Sequence, residues 1–171
     1  MKKLGITGLR WLKILHLLFA SLWLGGAVSL ILVMVLTEPA GGDELYAVHA
    51  AMKIIDDFVI ITGANGCLVT GLAYGIWTRW GFFRQNWLTV KWILVILQVA
   101  LGTFFLGPWL NGNVEIARTE RAAALSNPVF LKQESLNLNW GVIQVVLLLI
   151  VLWLSVKKPW KKKKKSDAPA A

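Results

Sequence analysis

Apolar residues dominate four stretches of the chain, residues 11–36, 58–77, 87–106 and 136–156, and polar residues gather between them. Within the first, Lys13, His16, Ser21 and Ser29 are the interruptions. At about 1.5 Å of rise per residue, each stretch can cross a hydrocarbon layer of about 30 Å, so the pattern predicts four transmembrane helices, the first long enough to tilt. Ahead of the second stretch, Leu45, Val48, Met52, Ile55 and Val59 recur at spacings of three and four. That predicts an amphipathic helix continuous with span two, with Asp43 as N-cap and Glu44 in its first turn. Lys53, Asp56 and Asp57 then fall at or beyond the outer interface. Span three is expected to stop at Gly107-Pro108, where a proline follows a glycine. In the polar segment that follows, residues 114–125 are expected to be helical. Ser126-Asn127-Pro128 reads as a cap with proline at the first position of a helix that runs through Trp140 into span four. The predicted fold class is all-α, an integral membrane four-helix bundle. Spans two and four extend on the outer side, and the polar loop helix packs on them as a small cap.

Small residues mark where helices can approach. Ser21, Gly25 and Ser29 fall four apart on span one, and Gly63, Gly66, Gly71 and Gly75 make span two closely packable. These seams also allow a homodimer. The remaining polar residues sort by depth. His16 lies five residues inside Trp11, and Lys91 four inside Trp87. Both therefore sit roughly 6 to 8 Å into the membrane from the side that carries the termini, and Tyr74, three residues from Trp77, falls in the same layer. Histidine and lysine are costly to desolvate, so two in one layer point to a site. Asn65, Gln98 and Gln144 fall near the midplane. They are expected either to hydrogen-bond between helices or to form the polar end of a cavity that opens at the His16 and Lys91 layer. Near the outer end, Met34, His49 and Met52 combine thioether and imidazole groups, a donor set suited to Cu(I). The competing expectation there is apolar packing with one exposed histidine.

Composition supports the membrane class: 57% of residues are hydrophobic and the mean hydropathy is +0.63, too apolar for one soluble domain. The net charge of +9 is concentrated in Lys157, Lys158 and Lys161 to Lys165, directly after the last span. There it fits anionic lipid headgroups, and no nucleic-acid partner is expected. The leader, the loop with Arg79 and Arg84 and the tail are the basic segments, which predicts a multi-pass protein with both termini cytoplasmic. The domain plan is a basic leader at 1–10, a membrane domain at 11–156 and a basic tail at 157–171. The first apolar run exceeds the h-region of a signal peptide and is expected to remain as a span. Cys67 is the single cysteine, which excludes an intrachain disulfide and a CxxC motif and suits a small packing residue. No paired-carboxylate, nucleophile-triad or phosphate-loop pattern occurs.

Trp11-Leu-Lys-Ile-Leu-His16, the following Trp23-x-Gly25-Gly26, and Trp87-Leu-Thr-Val-Lys91 resemble small bacterial membrane proteins around the haem-containing protoporphyrinogen IX oxidase of the HemJ type and the copper resistance protein D membrane domain. Where that oxidase family carries an arginine and a further histidine after the first glycines, this chain has Ser29-Leu-Ile-Leu-Val-Met34. The resemblance implies the bacterial cytoplasmic (inner) membrane, haem b as cofactor, His16 as its axial iron ligand and Lys91 as the second key residue. Tyr74 is placed to flank the ring. The implied function is a haem-b-binding oxidoreductase or electron-transfer protein, its site near the cytoplasmic side, exchanging electrons with a lipid-soluble quinone or porphyrin. The alternative is a non-enzymatic membrane protein that handles copper or a small solute, or a partner subunit of a larger complex.

Overall fold

The computed structural model describes residues 4–78, 82 and 85–159. The distal lysines of the tail, Lys161 to Lys165, and the loop arginines Arg79 and Arg84 lie outside the described residues. Six α-helices follow one another: α1 (Ile6–Leu36), α2 (Gly42–Ile54), α3 (Ile61–Trp77), α4 (Asn86–Leu101), α5 (Gly107–Glu120) and α6 (Pro128–Lys157). Wide π-helical turns, Ile55–Ile60 and Gly102–Leu106, join α2 to α3 and α4 to α5 without a break. The chain is thus an all-α integral membrane protein, with four helical rods long and apolar enough to span a bilayer. Leu17, Leu32, Ile93, Leu97, Val146 and Leu152 are all exposed. An outer face of that kind suits lipid as its solvent.

Local chemistry explains the boundaries. Pro128 opens α6, and the Asn127 side chain accepts from the backbone N–H groups of Val129 at 2.8 Å and Phe130 at 3.3 Å, as its cap sequence predicts. At the start of α2 the expectation needs correction. Gly41 is the N-cap, Asp43 stands inside the first turn with Glu44, and the Glu44 carboxylate accepts from the Ala40 N–H at 2.8 Å. A second correction concerns Pro108, which does not end span three. The turn before it reaches five residues back, the Gly107 N–H bonding the Gly102 carbonyl. This looser turn accommodates a proline that an ideal α-helix would reject. Span three therefore continues into α5 and extends beyond the bilayer as spans two and four do.

Within the membrane α1 is central. It packs along α3 on one side and α6 on the other, and α6 packs on α4. The α1 and α3 backbones come close because Gly63 lies on Phe19 and Trp23, where a Cβ would strike the backbone of α1. Between α3 and α4 there is no comparable backbone approach, and the Trp92 ring reaches across to Gly71 instead. Trp23, Ala27, Cys67, Val95, Leu148 and Val151 form the membrane core. A second core, Leu45, Ala117, Ala124 and Phe130, belongs to a cap built from α2, α5, the 3-10 turn Arg121–Ser126 and the start of α6. The Ser21, Gly25 and Ser29 seam is exposed, and a Cβ on Gly25 would meet nothing. Among the described residues, Ile55 and Val59 border the groove it forms.

Candidate functional site

On α1 the His16 ring turns toward α3, where its Nδ1 lies 2.7 Å from the Thr70 hydroxyl oxygen. That hydroxyl is also 2.6 Å from the Gly66 carbonyl, four residues back on α3. A carbonyl can only accept, and the hydroxyl has a single proton, so that proton goes to Gly66. Thr70 must then receive the Nδ1–H of His16. Its Nε2 is left with a lone pair and no proton, the state in which imidazole binds a metal. Tyr74 sets its ring edge-on to His16, with centroids 5.7 Å apart and planes at 85°. Cys67 is buried and directs its thiol at the His16 backbone carbonyl, 4.0 Å away.

Lys91 approaches from α4, within electrostatic reach of both His16 and Cys67. Its side chain is half-buried, and no carboxylate of the described residues pairs with it. Tyr74 thus stands beside His16, and Lys91 faces the same region from α4. The outer trio is not gathered in the same way. Met34 and Met52 line one cavity, which His49 does not share. Contrary to the expectation of an exposed histidine, His49 is 3% exposed. Its Nδ1–H donates to the Leu45 carbonyl at 3.0 Å, its ring packs 5.1 Å from that of Phe130, and its Nε2 faces Glu134 at 3.8 Å. The cap core has claimed it. Among the described residues, no group of three or more His, Cys, Asp and Glu is arranged to hold a metal ion.

The cavity has a volume of about 420 Å³. It runs from Trp23, Asn65, Gln98 and Gln144 in mid-membrane to Pro108, Asn111 and Asn137 beneath the cap. The midplane amides therefore border a cavity, but one that extends away from the layer expected, since neither His16 nor Lys91 lines it. The reason is the membrane core. Cys67, Val95, Leu148 and Val151 fill the space between the two regions.

Several contributors escape sequence reasoning. Thr70 sits among small residues and shows no sign of its contact with His16. Trp23, inside a glycine-flanked motif, gives no hint that its indole N–H is buried without a partner. The π turns carry Asp56, Asp57 and Thr103 onto the cavity wall, a placement the sequence does not announce. The one available signal is the Asp56-Asp57 pair itself, adjacent carboxylates beside an apolar run. No curated protein and no solved structure matches this chain. Residues 10–159 match the model of a family described as "Predicted integral membrane protein (DUF2269)", and the chain belongs to that family.

Proposed function

We propose that this integral membrane protein binds haem b through His16 and serves as a membrane oxidoreductase or electron-transfer protein. The observation that carries this reading is the 2.7 Å contact between His16 Nδ1 and the Thr70 hydroxyl. A ring whose Nδ1–H is held by Thr70 offers a bare Nε2 in a fixed direction, the outer-shell arrangement typical of ligating histidines. The residues present fit the group in donor chemistry: an imidazole for iron, an aromatic flank in Tyr74, and a cation in Lys91. Bound haem b would supply one-electron exchange. Thr70 would fix the ring and raise the basicity of Nε2. Lys91 would either neutralise a propionate or, as the free amine, bind opposite His16. The loose contact between α3 and α4 suits approach of a lipid-soluble quinone or porphyrin from the bilayer.

Orientation follows from charge. Arg10 and Lys13, in the first turns of α1, and Lys157 and Lys158, at the end of α6, gather basic charge at one end of the bundle. We assign that end to the cytoplasmic face of a bacterial inner membrane, its lysines against anionic lipids. A second reading, non-enzymatic handling of copper or a small solute, is favoured by Met34 and Met52 sharing a cavity.

The test is a dithionite-reduced minus air-oxidised spectrum of the detergent-purified protein. A haem-b α band that disappears in His16→Ala is expected. A band position that changes in Lys91→Ala would identify the lysine as ligand, and an unchanged position would place it at the periphery. A colourless protein, even after growth with a haem precursor, overturns the proposal.

A further inference from the structure

We propose that the mid-membrane cavity is a binding site for a small organic ammonium ion. This proposal stands apart from haem binding, since none of the residues assigned to that site lines the cavity. It starts from polar groups left without partners. Gln98 and Gln144 are 1% and 5% exposed and both line the cavity, yet each holds a carbonyl oxygen with no hydrogen-bond donor. The Gln98 amide nitrogen is already engaged with the Leu94 carbonyl at 3.2 Å, which leaves its oxygen as the group to be satisfied. In a low-dielectric interior a buried carbonyl oxygen without a donor is costly. Native structures rarely leave several together without a ligand or water to fill the role.

The charge of the site gives the sign of the ligand. Asp56 and Asp57 both border the cavity. Asp57 is paired with Lys53 at 2.9 Å, whereas Asp56 forms no ion pair among the described residues. A half-buried carboxylate and two unpaired amide oxygens on the lining of one cavity make it acceptor-rich and negative. The donor left unpartnered beside it is the Trp23 indole N–H. A quinone would bring further acceptors to such a wall. A cation with N–H donors complements it.

Size and lining decide between an organic and an inorganic cation. A bare metal ion needs oxygens gathered at about 2.3–2.6 Å. A space of about 420 Å³ is instead in the range of pockets that enclose small organic molecules. Its wall also offers Ala27, Ile60 and Val99, apolar surface for a hydrocarbon body. Both π turns contribute to the lining, through Asp56 and Thr103, and π turns inside helices frequently mark functional sites.

The probe is phenethylammonium, measured by equilibrium dialysis against the detergent-purified full chain, with 2-phenylethanol as its uncharged counterpart and Na⁺ as competitor. The expected result is saturable binding of phenethylammonium at least tenfold tighter than of the alcohol. Asp56→Asn should weaken it at least tenfold, and Gln144→Glu, which adds a second carboxylate without an ion-pair partner, should tighten it. The second variant decides the matter if Asp56→Asn fails to fold. Equal binding of amine and alcohol would overturn the proposal, since the cavity would then be a water-filled or unselective void. Saturable Na⁺ binding without amine binding would overturn it in favour of an inorganic cation. Retention of haem is read separately from the spectrum, so failure of one proposal leaves the other intact.

Discussion

At the level of single residues, the side chain that decides the chemistry of His16 is Thr70. A threonine in a membrane helix commonly returns its proton to the carbonyl four residues earlier, and Thr70 does so toward Gly66 at 2.6 Å. The bond that satisfies the threonine also makes its oxygen an acceptor for His16. Thr70→Val removes that acceptor while keeping shape, and leaves a ring N–H without a partner. If His16 binds haem as proposed, haem affinity should fall roughly 10- to 100-fold, with near-complete recovery in Thr70→Ser. Haem titration of the apoprotein measures both. A Thr70→Val protein that holds haem as tightly as the parent would show that Nδ1 needs no fixed partner. His16 and Lys91 were legible in the sequence because an ionisable group is conspicuous in an apolar run. Thr70 was not, since its role depends on the 2.7 Å contact between residues 54 apart.

Among the elements, the α-helical period served well wherever the helix is regular, found the continuous rod through the first wide turn, and failed at the second. It found the rods, the Asn127 cap and the proline at the head of α6, since these follow from local propensity and bilayer thickness. It read Gly107-Pro108 as a stop, and it gave no sign that Asp56, expected at the outer interface, borders a cavity. A π turn inserts one residue, so every side chain beyond it is rotated by about 100° relative to the expected face. Deleting Phe58, which is 72% exposed, should restore α-helical geometry between α2 and α3. The cap portion would then turn relative to the membrane portion and carry Asp56 off the cavity wall. Phenethylammonium binding should be lost in the deletion variant. The reduced haem spectrum should persist, because Thr70 and Tyr74 lie on the membrane side of the turn. Loss of both would mean that the turn is needed to assemble the bundle itself.

The molecule as a whole carries two separate cores, and their separation makes its stability divisible. Phe130 is fully buried in the cap, packed with Leu45, Ala117 and Ala124 and against the His49 ring. None of these residues belongs to the membrane core. Phe130→Ala should cost about 3–5 kcal/mol through lost contacts and a cavity, and that loss falls on the cap. The cap has one strained joint, Arg121, whose backbone takes φ 54°. It is held by an ion pair with Asp43 at 3.2 Å and by stacking of its guanidinium 4.8 Å from the centre of the Tyr46 ring. Gly42 closes the same joint, since a Cβ there would strike the backbone of Ala122. When Phe130 is truncated, the Arg121–Ser126 turn should become the first point cut in limited proteolysis with trypsin, while the haem band is retained. Gly63→Leu should do the reverse. A leucine side chain between α3 and the Phe19 and Trp23 backbone forces the two helices apart and moves Thr70 away from His16. The band should then be lost with the cap still resistant to protease. If either substitution removed both properties at once, cap and membrane bundle would be a single cooperative unit, coupled through the continuous rods that pass from one to the other.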